Sequence, residues 1–471
     1  MIGVMSDGSK PGWPVLAAGI FALLQGCGDG PRPAAGDAGG VDAGVRSDAS
    51  PNPDAQPVDP WGCARIFSQE LLPEYNVEIS QDELTALIYE YEHRDEARAM
   101  DINPKPYHPI SFQYDSQSFQ AHIRLKGSFS WNPAETDKMQ FVISFNEAGS
   151  GGRFYGQRKI ELDAPYYDKT ILHNRVALSY MRDQGLPAQC ANNAKLSING
   201  EYYGVYAQLE RIDREFLERS FPEAPDGDLW KNGWDPKNND VFDSSRIDAF
   251  DEAISVPELE LLCDLDQAIT EWATEAMIPH GDGFWGLERN YYLYDHPTRG
   301  FVFIPFDLDA SFEWVESDAD PIFWTGSWRI GPPNQFLLSI ADAARRAQFI
   351  SEIDAAHAGY DVDLLAGRIT NYSNQIRAAV ESDPNNSFTA EQWEDAIRAM
   401  RGYLAPRSIF VGRWLDCQDT GEGEDLDNDT YVFCNDCDDQ TDTIHPGAEE
   451  VCGNDLDDDC DGRRDEGCPA I

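Results

Sequence analysis

The segment from Asp282 to Asp309 carries the residue types best suited to chemistry in this chain. Two short apolar runs, 290–295 and 301–306, surround a His-Pro-Thr-Arg-Gly turn and predict a hairpin. Asp307 and Asp309 follow the second run two residues apart, so both carboxylates lie on one side if the backbone stays extended. Paired carboxylates suit a hard divalent cation such as Mg²⁺. The alternative is that they only cap a following helix.

Asp282 follows a predicted helix and stands in a loop with a glycine on each side. Such a loop can present a carboxylate to a hydroxyl group as a general base. The helix before it is indicated by five apolar residues that fall on one helical face. These are Ile269, Trp272, Ala273, Ala276 and Met277.

The end of the chain holds two acidic loops in which carboxylates alternate and a last one stands at the twelfth place. The first loop contains Asp425, Asp427, Asp429 and Asp436, and the second contains Asp455, Asp457, Asp459, Asp461 and Glu466. Calcium loops require this arrangement of oxygens. Neither loop has the usual glycine at place six, so they are not standard EF-hands. An acidic disordered tail is the main alternative, and zinc bound by the cysteines is a weaker one.

The cysteines indicate an oxidising compartment. Six of the ten lie between Cys417 and Cys468, while Cys63, Cys190 and Cys263 are scattered. This density is typical of exported, disulfide-linked segments. The spacing alone does not give the connectivity.

The charge of the chain excludes one class of partner. Formal net charge is -48 over 471 residues. Binding to a nucleic acid polymer needs lysine and arginine to displace counterions, so we expect none. Divalent cations, basic partners or simple solubility fit the charge better. With 41% hydrophobic residues, the chain is long enough for a large two-lobed domain with accessory segments.

The N-terminus predicts an exported protein held at a membrane by lipid alone. The apolar run 15–24 is too short to span a bilayer and is typical of a signal peptide. It ends in Leu-Gln-Gly-Cys, which is similar to a bacterial lipobox with Cys27 as the acylated residue. An ordinary cleaved signal is the alternative. Residues 28–60 are rich in Gly, Ala, Asp and Pro and predict a disordered linker.

The remaining pattern predicts an α+β fold whose first part is mostly sheet. Alternation predicts an edge strand at 75–79, a hairpin at 110–125, and further strands at 140–145, 195–198 and 203–209. A helix is predicted from Gln81 to His93. Helices dominate from the hairpin at 290–306 to Trp414, and Thr389 with Gln392 is a capping box opening the last one.

Four blocks between about Trp61 and Trp414 together resemble the spore-coat-protein-H (CotH) kinase family. They are Arg124–Ser128 with Lys138–Phe141, then His173–Leu178, then Ile198–Tyr206 with Leu209–Asp213, and finally Asp282–Asp309. The resemblance implies an atypical, two-lobed protein-kinase-like fold over 61–416, with lobes of about 61–240 and 241–416. It implies transfer of phosphate from ATP, with Mg²⁺ or Mn²⁺, to serine or threonine of exported or surface proteins.

The resemblance also assigns roles to single residues. Asp282 matches the catalytic aspartate, Asn290 the asparagine near the metal, and Asp307 the metal-binding aspartate. Lys138 is the expected phosphate-contacting lysine, and an exposed strand lysine is the alternative. The segment departs from the family pattern in two ways. Phe306 stands where tryptophan is common, and about three extra residues separate Asp282 from Asn290.

The tail at 417–471 resembles the Asp/Cys-rich metal-binding motif of exported bacterial proteins and is similar to thrombospondin type-3 repeats. We therefore expect a lipoprotein of the cell envelope with a kinase-like domain and a separate, calcium-binding tail. The alternative is a surface binding or adhesion protein that keeps the fold without catalysis.

Overall fold

The computed structural model describes residues 60–94, 105–126, 138–147, 151–164, 168–238, 243–284, 289–322, 342–454, 456–460 and 467–468. The predicted signal peptide with Cys27, and the linker up to residue 59, lie outside these ranges. Within them, no helix combines the length and the apolar character needed to cross a membrane.

The first part of the described chain is a closed barrel of seven strands. The strands are β1 (Glu74–Glu78), β2 (His108–Tyr114), β3 (Gln117–Leu125), β4 (Phe141–Ser144), β5 (Lys159–Asp163), β6 (Ala191–Ile198) and β7 (Glu201–Glu210). Their order around the barrel is β1-β2-β3-β4-β5-β7-β6. The predicted edge position of 75–79 is wrong, because β1 pairs antiparallel with β2 and parallel with β6. Closure removes the edge that β1 would otherwise expose.

The barrel is filled by aromatic and branched side chains that alternate along the strands. Phe112 packs against Phe145 and Phe154 with ring centroids 5.2 Å and 5.1 Å apart. Helix α1 (Gln81–Glu92) contacts β2 and β3, and Ser80 caps it by accepting from the Glu83 amide. The predicted hairpin at 110–125 is confirmed as β2–β3, and the strands predicted at 195–198 and 203–209 are confirmed within β6 and β7, which pair with each other.

A second sheet of four strands carries the predicted hairpin of the chemically rich segment. Its order is β11-β10-β8-β9, with β8 (Leu229–Lys231), β9 (Asp235–Pro236), β10 (Tyr291–His296) and β11 (Gly300–Pro305). Strands β8 and β9 precede residue 240, so this sheet draws on both sides of the lobe boundary expected from sequence. In chain order, α2 (His173–Asp183) lies between β5 and β6, and α3 (Arg214–Ser220) lies between β7 and β8. Helices α4 (Ser245–Asp251), α5 (Val256–Leu262) and α6 (Leu265–Glu275) lie between β9 and β10.

Three long helices complete the domain. Together with the two sheets they confirm the predicted α+β class. They are α7 (Ala343–Ala358), α8 (Val362–Glu381) and α9 (Ala390–Thr420). The capping box predicted at Thr389 and Gln392 opens α9. On α9, Arg407 is fully buried and donates to the backbone oxygens of Ala276, Ser317 and Ala319. One helix therefore holds both the end of α6 and the loop that follows β11.

The acidic tail begins inside α9 and packs on it. The boundary expected at 416–417 falls within this helix, which ends at Thr420. A disulfide joins Cys417 to Cys434 in the main hydrophobic core, and Phe433 packs against Phe410 with ring centroids 5.9 Å apart. The tail is therefore anchored to the helical part of the domain by covalent and apolar contacts.

Candidate active site and metal centres

A cavity of about 740 Å³ lies where the barrel meets the second sheet, and it contains most of the residues predicted to do chemistry. Asp282, Asn290, Asp307 and Asp309 all line it. They come from the loop after α6, the start of β10 and the loop after β11. Lys138 is not among the lining residues.

Asp282 is half-buried, and two polar neighbours stand beside it. His280 Nε2 lies 2.8 Å from Asp282 Oδ1, and Asn290 Nδ2 donates to the Asp282 backbone oxygen over 3.2 Å. Burial alone would raise the pKa of Asp282, but His280, Asn290 and Arg289 hold it below its ordinary value. The carboxylate is therefore ionised at neutral pH and can accept a proton.

Asp307 and Asp309 reach the cavity by a route that differs from the predicted extended strand. Strand β11 ends at Pro305, and Asp307 adopts the left-handed conformation with φ 60° and ψ 51°. A 3₁₀ turn, Leu308–Ala310, follows at once. The extended backbone assumed from sequence is thus wrong, although both side chains still line one cavity. A left-handed non-glycine residue is costly and is typical of functional sites.

The carboxylates around Asp309 repel one another. Burial raises the pKa of Asp309 well above its ordinary value, and the charges of Asp307, Asp282, Asp168 and Asp163 add to the shift. Ligand atoms of His280, Asp282 and Asp309 lie within 4.8 Å of one another. Buried carboxylates crowded in this way are stabilised by a divalent cation, and oxygen ligands are those that Mg²⁺ or Mn²⁺ prefers. The residues therefore fit the expected metal.

His173, from the start of α2, fixes the loop that carries Asp309. Its Nδ1 lies 2.8 Å from the Asp309 backbone oxygen, and its Nε2 lies 3.2 Å from Glu313 Oε1. Burial would lower the pKa of His173, but the charges of Asp168 and Glu313 raise it to about 10. The His-Asn-Arg block of the sequence thus contributes His173, which holds the loop with Asp309 and Glu313 in place.

Lys126, directly after β3, is one of four lysines that line the cavity. Its Nζ is ion-paired with Asp163 and lies 3.3 Å from Glu161 Oε2. Burial would lower its pKa, but Asp163, Glu161 and Asp307 raise it above the ordinary value. Lys231, from β8, also lines the cavity, and its Nζ stands 4.2 Å from the ring centroid of Phe306. Two cationic side chains thus flank the acidic loop.

Lys138 lies elsewhere, so its expected contact with phosphate does not fit the geometry. Its Nζ is 2.6 Å from Asp383 Oδ2 and donates to the Val205 backbone oxygen over 2.6 Å. Burial lowers its pKa to about 8 in spite of Asp383. The alternative of an exposed strand lysine is also wrong, because Lys138 is 2% exposed. Its role in the structure is to tie the barrel to the loop after α8.

The first acidic loop of the tail gathers as predicted and gains one residue. Ligand atoms of Asp427, Asp429 and Asp436 lie within 4.8 Å of one another, and Asp425, Asp427 and Asp439 form a second such group. Asp439 was not predicted, because it stands outside the twelve-residue spacing. The Oδ2 atoms of Asp427, Asp429 and Asp436 are buried and make no hydrogen bond to any described residue.

Burial raises the pKa of Asp436 to about 6, and Asp429, Asp427 and Asp439 contribute to the shift. Orphaned buried carboxylate oxygens need a partner, and a cation supplies one. In the first loop, therefore, the predicted ligand set and the observed geometry agree on a cation site.

The second acidic loop is described only in part. Asp455, Asp461 and Glu466 lie outside the described residues. Ligand atoms of Asp457, Asp459 and Glu450 lie within 4.8 Å of one another. Glu450 was not predicted as a ligand, because it precedes the loop in sequence.

The structure gives the disulfide connectivity, which the spacing of the cysteines alone does not determine. Within the described residues, Cys63 pairs with Cys190, and the tail pairs Cys417 with Cys434, Cys437 with Cys460, and Cys452 with Cys468. Cys263 is buried and not part of a disulfide.

Comparisons with known proteins cover the same regions. A family model described as "CotH kinase protein" matches residues 123–411, and one described as "Putative metal-binding motif" matches 436–466. Inner spore coat protein H of Bacillus subtilis (strain 168) is 25% identical over 336 residues, which is 64% of this chain and 89% of that protein. Both resemblances predicted from the sequence blocks are thereby confirmed.

Two solved structures show a weaker likeness. The Helicobacter pylori proinflammatory kinase CtkA is 8% identical, with a TM-score of 0.26 over 66% of this chain and 94% of that chain. The HipA, HipB and operator DNA complex of Shewanella oneidensis MR-1 gives 15% identity and a TM-score of 0.29, over 62% of this chain and 70% of that chain. TM-scores this low do not define a shared fold.

Proposed function

The chain belongs to the CotH kinase family, and on this premise we propose that it transfers phosphate from ATP to serine or threonine of exported proteins. One observation carries the proposal. A single cavity brings Asp282, Asn290, Asp307 and Asp309 together with Lys126. Phosphoryl transfer needs positioning, a base and neutralisation of phosphate charge, and these residue types supply all three. In this reading the barrel and the helical part are the two lobes.

Each residue has a distinct part in the proposed reaction. Asp282 accepts the proton of the acceptor hydroxyl. Asp307 and Asp309 hold the cation, and Asn290, which lines the same cavity, holds the Asp282 loop by donating to the Asp282 backbone oxygen. Lys126, steadied by Glu161 and Asp163, neutralises phosphate oxygens. Mg²⁺ or Mn²⁺ with ATP supplies the phosphoryl group and the charge neutralisation that the transfer requires.

Two substitutions of equal size test these roles on the full chain. Asp307→Asn should weaken metal-dependent binding of ATP, because it removes a charge that the cation needs. Asp282→Asn should leave that binding intact and lower turnover by about 10²-fold or more, because a base acts on the hydroxyl. Calorimetric titration with Mg-ATP and incorporation of labelled γ-phosphate measure the two effects.

The matched control is Asp318→Asn, an exposed aspartate nine residues beyond Asp309. It should behave as wild type in both measurements. Equal small losses of melting temperature in all variants, with no split between binding and turnover, would contradict the roles. Wild-type protein that binds no nucleotide at any metal concentration would support the rival, a surface binding protein without catalysis.

We further propose that the tail binds Ca²⁺. The support is the pair of three-carboxylate groups that share Asp427, together with the buried, orphaned oxygens of Asp429 and Asp436. Flexible clusters of several carboxylates suit Ca²⁺ better than the smaller Mg²⁺.

We propose that the protein works in the cell envelope, outside the cytoplasm, as a lipoprotein acylated at Cys27. Four disulfides among the described residues support an oxidising compartment. The B. subtilis relative is named as a spore coat protein. Its partner would be an exported or surface protein substrate.

A further inference from the structure

One tryptophan of the cavity has no part in the reaction proposed above. Trp234, between β8 and β9, lines the cavity and is 65% exposed. The two other aromatic residues that line it, Tyr292 and Phe306, are 6% and 4% exposed. The Phe306 ring also has two lysine Nζ atoms over it, from Lys231 at 4.2 Å and Lys126 at 5.7 Å. Of these three described lining residues, Trp234 therefore presents the accessible aromatic face.

The turn that carries Trp234 is fixed to the start of β10. Asn232 and Gly233 have φ angles of 54° and 78°, as the central residues of a tight hairpin turn do. The Trp234 amide donates to the Lys231 oxygen over 3.3 Å. The side-chain oxygen of Asn232 accepts from the Asn290 amide over 2.9 Å. The backbone beneath the indole is thus ordered before any ligand binds, which lowers the entropic cost of binding.

Cationic side chains gather around this turn. Lys231 stands three residues before Trp234 and Lys237 three residues after it, and both line the cavity. Burial lowers the pKa of Lys105, another lining residue, to about 8, and four positive charges add to the shift, those of Arg124, Lys231, Lys126 and Lys237. Like charges held this close are costly, and an anionic group among them removes part of that cost.

Lys231 connects the turn with the carboxylates of the proposed metal site. Its Nζ stands over Phe306, the residue directly before Asp307. Burial lowers the pKa of Lys231, and the charge of Asp307 opposes that shift. The Cα atoms at the two ends of a tight turn lie within about 7 Å of each other. A phosphate chain that reaches from Asp307 past Lys231 therefore brings the group at its other end to Trp234.

We propose that Trp234 binds the purine base of the nucleotide by stacking, while Lys231 and Lys237 lie beside its phosphates. The inference rests on the proposed phosphotransferase function, because it concerns the nucleotide of the same cavity. An accessible aromatic face next to several cations matches a ligand that joins a planar ring to a polyanion. Stacking on an aromatic side chain does not require a particular base, because every base has a π-face. Trp234 thus supplies affinity for the base and not for the phosphates.

Two ligands that differ only in the nucleoside test this assignment on the full chain. They are Mg-ATP and Mg-tripolyphosphate, which carries three phosphates without a base. Trp234→Leu keeps apolar bulk and removes the ring, and it should raise the Kd for Mg-ATP about 10-fold. Trp234→Phe keeps a ring and should raise that Kd less. Calorimetric titration should show an unchanged Kd for Mg-tripolyphosphate in both variants.

Two control variants bracket the expected pattern. Lys231→Met should weaken the binding of both ligands, because the lysine lies beside the phosphates. Tyr89→Leu should weaken neither, because Tyr89 is a 59% exposed aromatic residue on α1 that does not line the cavity. Melting curves of all variants establish that each keeps the fold, and a residue as exposed as Trp234 should change Tm little.

The outcomes separate this inference from the proposed function. Wild-type affinity for Mg-ATP in Trp234→Leu would overturn the inference even where phosphate transfer is found, and slower transfer to a protein in that variant would assign the indole to the acceptor instead. An equal loss of both ligands would also overturn it. Selective loss of Mg-ATP binding would support it even if the wild type transfers no phosphate, a result that removes only the phosphotransferase proposal. A wild type that binds neither ligand would overturn both.

Discussion

Lys126 and Lys138 both lie next to strands of the barrel, and their charged partners give them different roles. The side chain of Lys126 is 12% exposed and that of Lys138 is 3% exposed. Lys126 faces the cavity, where Glu161 and Asp163 hold it. Lys138 faces the helical part and meets Asp383, whose side chain is fully buried. The charge of Lys126 can therefore bind a ligand, whereas the charge of Lys138 contributes to the stability of the fold.

Substituting each lysine by methionine should therefore give opposite results. Lys126→Met should lower the affinity for Mg-ATP with a modest change in stability. Lys138→Met leaves Asp383 buried without its cation and should lower the free energy of unfolding by about 3–5 kcal/mol. Nucleotide titration and denaturant unfolding measure the two quantities. Lys138→Met with lost ATP binding and unchanged stability would return the phosphate role to Lys138.

Glu271, on α6, gives the domain a pH dependence that is separate from the site. Burial raises its pKa to about 8, so the folded state holds a proton that the unfolded chain releases above pH 4.5. Stability from this group is present below pH 4.5 and is lost as pH rises through about 8. Glu271→Gln should melt higher than wild type at pH 8, and its Tm should fall less between pH 5 and 8. Parallel Tm profiles for the two proteins would contradict this assignment.

At the scale of elements, α9 connects the working parts of the domain. Arg407 binds the backbone at Ala276, before the Asp282 loop, and at Ser317 and Ala319, after the Asp309 loop. Trp414 Nε1 donates to Asp320 over 2.6 Å. The two loops that carry the carboxylates are thus fixed to one rigid helix.

The sequence predicted those elements whose pattern is local. The hairpins, α1, the capping box and the carboxylates of 282–309 follow from periodicity and turn residues within short windows. The closure of the barrel does not, because the parallel pairing of β1 with β6 joins segments more than a hundred residues apart. The position of Lys138 also depends on a long-range contact, so the sequence predicts a contact with phosphate that the structure does not place there. Its partner Asp383 is 245 residues away, and no local signal marks that contact.

The acidic loop of the tail should behave as a cation-dependent element. Calcium at 100 times its Kd stabilises a folded site by about 2.7 kcal/mol. Calorimetry on the full chain should show Ca²⁺ binding that Asp436→Asn weakens, because Asp436 is buried with an orphaned oxygen. Asp442→Asn, an exposed neighbour outside both carboxylate groups, should bind as wild type. Identical binding by the two variants would place the site elsewhere.

At the scale of the whole molecule, the cavity contrasts with the rest of the chain. Net charge is -48, a field that repels nucleotides. The cavity nevertheless gathers seven cationic side chains, namely Lys105, Arg124, Lys126, Arg211, Lys231, Lys237 and Arg289. Seven carboxylates line the same cavity, so its charges balance and an anionic ligand is repelled less here than over the rest of the protein.

The attachment of the chain to a membrane is a prediction for the whole protein. Acyl chains contribute about 0.8 kcal/mol for each buried CH₂, so a diacylated Cys27 should anchor the protein stably. Cys27→Ala should move it to soluble fractions without changing its ATP binding. Fractionation and mass spectrometry of the mature N-terminus are the measurements. A membrane-bound variant, together with an unmodified wild type, would remove the lipid anchor.

The pairing of the cysteines has a consequence for how the chain matures during export. Cys63 and Cys190 follow one another among the cysteines after Cys27, and so do Cys417 and Cys434. An oxidant that joins thiols in the order of their emergence makes the first bond correctly, and it makes the second correctly once Cys263 is buried. Cys263 stands between the two pairs and is withdrawn into the core as a free thiol.

The next thiols to emerge cannot follow that rule. Cys437 and Cys452 appear one after the other, yet Cys437 pairs with Cys460 and Cys452 pairs with Cys468. A bond formed early between Cys437 and Cys452 must be exchanged before the tail can fold. A host without a disulfide isomerase will therefore accumulate molecules in which the domain is correctly oxidised and the metal-binding tail is scrambled.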